Sequence, residues 1–140
     1  MTSSEAVFSI LEHDDNFREI MRSLLISSID LSFDGIMITE AGPGFPIVYV
    51  NPAFCNMTGY TPEEILRASP SILQGPATDP DVLERLAQDL SAGRVFHGRA
   101  INYRKDGAVF MMEWKIAPIR NREGAVSHFL AIQRDVSHET

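Results

Sequence analysis

Apolar residues recur in two rhythms along this chain, one close to every third or fourth position and one at every second. From Asn16 to Leu31, the residues Phe17, Ile20, Met21, Leu24 and Leu25 share one face of a predicted helix. Asp14 and Asp15 stand at its start, where acceptor side chains cap free N–H groups and the helix dipole favours negative charge. Such a stripe must cover something, either its own domain or a second copy of itself. After Phe33 the texture changes. Ile36-Met37-Ile38 follows Asp34-Gly35 as a strand, and Ala41-Gly42-Pro43-Gly44 breaks it. Ile47 to Val50 then predicts a second strand, its hairpin partner.

Three helix starts follow in quick order. Asn51-Pro52 places a capping side chain before a proline at the first helical position, and Asp79-Pro80 repeats the device. Between them, Thr61-Pro62-Glu63-Glu64 is a capping box in which Thr61 and Glu64 satisfy each other's exposed donors. The third start leads a longer amphipathic helix with the stripe Val82, Leu83, Leu86 and Leu90, closed by Gly93. Strands predominate beyond it. Phe96 to Tyr103 and Val109 to Ile119 flank Lys105-Asp106-Gly107, a hairpin signal. Asn121 to Gly124 makes another turn, and Val126 to Val136 is the final strand. Segregated strands and helices in this order predict an α+β domain, an antiparallel sheet with helices on one side. Period-two alternation puts Phe110, Met112, Trp114 and Ile116 on one face of the second long strand.

The totals narrow the function. A chain of 140 residues with 44% hydrophobic residues suits one domain with a real core. The expected organisation is a helical extension over 1–32, a core over 33–137, and the start of a linker over 138–140. A net charge of −7 argues against nucleic acid, because neutralising phosphates takes clustered Lys and Arg. No apolar run approaches the roughly 20 residues that cross a bilayer, and the acidic start lacks the features of a secretory signal. The one cysteine, Cys55, excludes an internal disulfide framework and fits a reducing cytoplasm. His13, His97, His128 and His138 are scattered and make no metal-ligand spacing. There is no Ser-His-Asp order with motif support and no phosphate loop, so the chain is expected to bind and signal rather than catalyse.

Several stretches together resemble a PAS domain: Val50-Asn51-Pro52-Ala53-Phe54, then Thr58-Gly59-Tyr60, Glu63-Glu64-Ile65, Asn102 to Gly107, and Gln133-Arg134-Asp135-Val136-Ser137. The resemblance covers roughly residues 33–137. It implies the PAS fold, a five-stranded antiparallel sheet with short helices packed on one face, plus the N-terminal amphipathic helix. Ile72-Leu73-Gln74-Gly75 and the hairpin at Asn102 to Gly107 point to the flavin-binding LOV (light-oxygen-voltage) branch. That branch carries an Asn-Cys-Arg-Phe-Leu-Gln run whose cysteine bonds to the flavin under blue light. Here the aligned run is Ser69-Pro70-Ser71-Ile72-Leu73-Gln74, with Pro70 at the cysteine position. Cys55 lies in the preceding helical region, where a small buried hydrophobe or inert thiol is the plainer reading.

Two arginines that grip the flavin phosphate in that branch align with Ser71 and Ala87, while Arg85 is turned to another helical face. Losing two charge-assisted bonds of about 1.5–3 kcal/mol each would weaken FMN by two to four orders of magnitude; FAD, with a longer tail, has other contacts to use. Gln74, Asn102 and Gln133 match positions that hydrogen-bond the flavin's polar edge, a task suited to carboxamides because each offers donors and an acceptor. Met112 stands where a second asparagine would align, and Met112 and Trp114 would pack against a ring or fill the cavity. The plainer roles are a helix cap for Gln74, backbone satisfaction near the hairpin for Asn102, and a polar cross-strand neighbour for Gln133. Two expectations follow. One is a flavin-binding sensor, with FMN or FAD, working by redox or non-adduct photochemistry. The other is a cofactor-free PAS module for dimerisation or another small ligand. Haem is a weaker variant, since the long helix supplies no histidine. Whether the chain is a fragment of a larger signalling protein or a stand-alone sensor acting in trans, a homodimer is expected, with the Phe17/Ile20/Leu24 stripe as candidate contact and the output partner unknown.

Overall fold

A computed structural model describes residues 2–6, 9 and 14–139; His13 and Thr140 lie outside the described residues. The chain divides into two compact units, one ending at Leu31 and one starting at Ser32. In the first, helix α1 spans Asp15–Leu31, and Asp14 Oδ1 accepts the Phe17 N–H at 2.9 Å, an N-cap one residue before the first turn.

The second unit is an α+β domain. Strands β1 (Gly35–Glu40), β2 (Ile47–Val50), β3 (Phe96–Tyr103), β4 (Val109–Arg120) and β5 (Val126–Asp135) form one sheet in the order β2-β1-β5-β4-β3, with every neighbouring pair antiparallel. Between β2 and β3 run α2 (Pro52–Thr58), α3 (Pro62–Ile65), a 3₁₀ turn (Pro70–Leu73) and α4 (Pro80–Ser91). Alternation along β4 buries Phe110, Met112, Trp114 and Ile116. With Phe54, Phe96, Ile47, Ile65 and Leu73, these form the core between sheet and helices.

Each helix start carries its cap. Thr61 and Glu64 exchange backbone-to-side-chain bonds of 3.0 and 3.3 Å across the start of α3, and Asp79 Oδ1 accepts the Asp81 N–H at 2.9 Å. Asn51 does more than cap. Its Oδ1 accepts Phe54 N–H at 3.0 Å at the head of α2 and also Ile36 N–H at 2.8 Å in β1, while Nδ2 donates to the Asp34 carbonyl at 3.0 Å. A single fully buried amide therefore fastens α2 to the first strand.

The β3–β4 hairpin is tied to the helices from the other side. The Arg104 guanidinium donates to the Met57 carbonyl at the end of α2, lies 4.4 Å over the Phe110 ring, and pairs with Asp135 at 2.6 Å. Burial opposes ionisation of Asp135, but hydrogen bonds from Arg104 and Ser137 outweigh it and lower its pKa to about 2. Lys105 pairs with Glu64, and its backbone N–H donates to the Thr58 carbonyl.

Candidate cofactor-binding cavity

Between the sheet and α4 lies a cavity of about 620 Å³, within the range of small-molecule sites. Its floor is the inner face of the sheet. Strand register sets Trp114 directly between Gly98 on β3 and Gln133 on β5, and Ile116 between Phe96 and Ala131; cross-strand neighbours share a face. Gly98 makes this packing possible, since a Cβ there would stand 2.6 Å from the Phe96 ring. The Phe96 and Trp114 rings lie 5.2 Å apart. The wall opposite comes from Leu83, Leu86, Ala87 and Leu90 on α4, and Ser69, Pro70, Ser71 and Gln74 also line the cavity. Phe45, its ring 5.8 Å from that of Phe129, lines another part of the rim.

All five predicted site residues, Gln74, Asn102, Met112, Trp114 and Gln133, line this one cavity. Their polar atoms are in different states. Gln74 ends the 3₁₀ turn, where its backbone N–H donates to the Ser71 carbonyl, and it lines the cavity. A loop from Gly75 to Thr78 holds it there. Thr78 Oγ1 donates to the Ile101 carbonyl at 2.7 Å, and the Tyr103 hydroxyl accepts Ala77 N–H at 2.8 Å. Gly75 has no side chain because the Tyr103 ring occupies that space: a Cβ would meet it at 2.4 Å. Asn102, 3% exposed, donates to the Ala100 carbonyl at 3.3 Å, so part of the backbone role expected of it is present.

Gln133 differs. It is 2% exposed, and its Oε1 has no hydrogen-bond partner. Its neighbours across the sheet are Gly35 and Trp114, so the polar cross-strand partner expected of it is not there. A buried carbonyl left open costs about 1–3 kcal/mol. Gln133 also borders a second cleft of about 520 Å³ that reaches Arg104 and Asp135.

The remaining expectations have definite places. Pro70 lines the cavity, and Cys55 is not among the described lining residues. Cys55 packs from α2 against the core; burial first, then the charge of Glu63, raises its thiol pKa, which disfavours the reactive thiolate. Ala87 lines the cavity and Arg85 does not; the Arg85 guanidinium donates to the His97 carbonyl at 2.8 Å and sits 5.0 Å over Phe96. His97 points its ring to Glu113, away from the cavity. Among the described residues no group of three or more His, Cys, Asp or Glu is placed to hold a metal, and no helix is long and apolar enough to cross a membrane. Sequence reasoning did not single out Met37, Thr39 or Phe129 as lining residues. In β5 the alternation that starts at Phe129 is a signal that finds it, whereas β1 buries Ile36 and Met37 in succession and gives no such signal for Met37 or Thr39.

The family model for the PAS domain matches residues 34–138. The chain belongs to the PAS family. This PAS chain is 40% identical over 98 residues to Phototropin-1A of Oryza sativa subsp. japonica, covering 70% of the chain and 11% of that protein. It is 32% identical over 114 residues to a nitrogen fixation regulatory protein of Klebsiella oxytoca, covering 81% and 23%. Among solved structures, a light-oxygen-voltage domain reported with a flavin analogue superposes with a TM-score of 0.76 at 34% identity, over 82% of this chain and 86% of that one. The PAS chain thus has LOV domains as structural neighbours, and it spans at most about a quarter of the curated relatives named here.

Proposed function

We propose that this PAS domain is a sensor that binds a flavin in the cavity and signals by redox or non-adduct photochemistry. The observation that carries the proposal is the buried Gln133 Oε1 without a hydrogen-bond partner, on a residue that lines the cavity of about 620 Å³. A buried acceptor without a partner is a standing cost unless a ligand donor arrives, and the flavin edge offers one beside Asn102 and Gln74. Bound flavin supplies visible absorption and one-electron chemistry. With flavin bound, Trp114, beside Gln133 in the sheet, would be the side chain that supplies the electron in non-adduct photochemistry. Gln133 then carries the change along β5. Asp135, two residues on and on the same face, holds Arg104, and Ser137 Oγ accepts the Met111 N–H at 2.9 Å. The output partner is reached through these termini.

The role assigned is binding and relay rather than catalysis, in a reducing cytoplasm, by a homodimer whose contact includes Phe17, Ile20 and Leu24. Light scattering tests the dimer; a clean monomer at tens of micromolar refutes it. The function itself is tested by an absorption spectrum of freshly purified protein, in the dark and after blue light, with the released chromophore identified by chromatography. Vibronic flavin bands that bleach reversibly are expected. A light-induced cysteine adduct refutes the non-adduct half. A colourless protein that also refuses added flavin refutes the whole and leaves the cofactor-free module.

A further inference from the structure

The cavity's charge is as informative as its shape. Of the described residues that line it, none is Asp, Glu, Lys, Arg or His. The most exposed of the lining residues are Phe45, Ser71, Ala87 and Ser91, and all four are neutral. A ligand tail that leaves the Trp114 floor passes among uncharged lining residues.

The cations beyond the end of α4 have partners of their own, Arg94 with Asp89 at 3.1 Å and Arg120 with the Gly124 carbonyl at 3.0 Å. Glu84 precedes Ala87 by three residues and so lies one turn away on the same side of α4, with acidic character. Arg85 is committed to the His97 carbonyl and the Phe96 ring. Arg67 is paired with Glu40 at 3.0 Å. The chain as a whole carries −7. A phosphate among the lining residues would exchange its water shell for hydroxyl and methyl groups and gain no charge-assisted bond.

We propose that the cavity selects a ligand with an uncharged tail, so that riboflavin binds at least as tightly as its phosphorylated forms. This rests on the flavin reading and specifies which flavin. Discrimination would come from the lack of reward for the phosphate, while Gln74, Asn102 and Gln133 treat the ring of riboflavin, FMN and FAD alike.

The test is a set of dissociation constants for riboflavin, FMN and FAD on the stripped full chain, by flavin fluorescence quenching. Riboflavin binding as tightly as or more tightly than either nucleotide is the expected result. Either nucleotide binding more tightly than that overturns the inference and leaves the flavin sensor standing. Binding of none of the three overturns the flavin sensor itself. Ser71→Arg and Ala87→Arg, both at exposed positions, supply the cation from two different elements. Each is expected to tighten FMN by roughly tenfold and leave riboflavin unchanged. If both folded variants leave FMN unchanged, the phosphate does not pass these residues and the inference fails. Arg85→Gln is expected to leave the FMN-to-riboflavin ratio where it was; a selective loss of FMN would show that Arg85 does serve the phosphate.

Discussion

Replacing Gln133 with leucine should move stability and binding in opposite directions. In the unliganded protein the substitution removes a carbonyl that is 2% exposed and lacks a partner, at nearly constant volume. Such an atom costs about 1–3 kcal/mol, and imperfect repacking against Trp114 returns part of that, so Gln133→Leu should gain about 1 kcal/mol. With an m-value of roughly 1.5–2 kcal/mol/M, the urea midpoint should rise by about 0.5 M at unchanged slope. With flavin added, the same variant loses a hydrogen bond worth about 0.5–1.5 kcal/mol, so affinity should fall roughly three- to tenfold. A purely structural amide would behave otherwise, since its loss would destabilise the protein with or without ligand. Urea melts of the stripped protein, paired with a flavin titration, separate the two. If Gln133→Leu lowers unliganded stability by about 1 kcal/mol or more, the Oε1 is satisfied and the argument for a waiting acceptor collapses.

Three further outcomes follow from the contacts. Asn51→Ala strips two buried N–H donors of their common acceptor and should cost about 2–4 kcal/mol, against under about 1 for Thr61→Ala at the exposed capping box; equal losses in chemical denaturation would refute the double role of Asn51. Asp135 has a folded pKa below its unfolded one, so its stabilisation is full above about pH 4 and is lost as pH falls towards 2. Asp135→Asn should therefore flatten that part of the acid limb, by about 1 kcal/mol after solvent screening, and an unaltered limb would show the Arg104 pair to be idle. Gly75→Ala forces a Cβ to within 2.4 Å of the Tyr103 ring; a loss of about 1–3 kcal/mol in thermal melting is expected, and a melt unchanged from the parent protein would refute the close approach.

Much of this architecture was legible because its signals are local. Asn51-Pro52, Thr61 to Glu64 and Asp79-Pro80 each start a helix, and Lys105-Asp106-Gly107 turns a hairpin, because cap and turn chemistry acts within four residues. Alternation placed Met112 and Trp114 on the inner face for the same reason. The state of each amide was not legible. Whether Gln133 has a partner depends on β5 lying between β1 and β4, which sets it against Gly35 and Trp114, and no pattern in a single strand reveals that. The second bond of Asn51 was hidden likewise, since Ile36 stands fifteen residues away. Resemblance supplied the candidate amides, and only packing distinguished the occupied from the open.

The place of β5 bears on how the protein is made. The last of the domain's strands to emerge from a ribosome is its central one, and both β1 and β4 pair with it. Until it arrives, the nascent chain carries two half-sheets with two extra unpaired edges, the kind of surface that recruits strands from other chains. The domain can therefore fold only after synthesis has passed Asp135, in one late step that closes sheet and cavity together. A message cut short before β5 would yield an aggregation-prone product rather than a weakened sensor, and a stop anywhere in residues 126–135 should deposit the chain in the insoluble fraction.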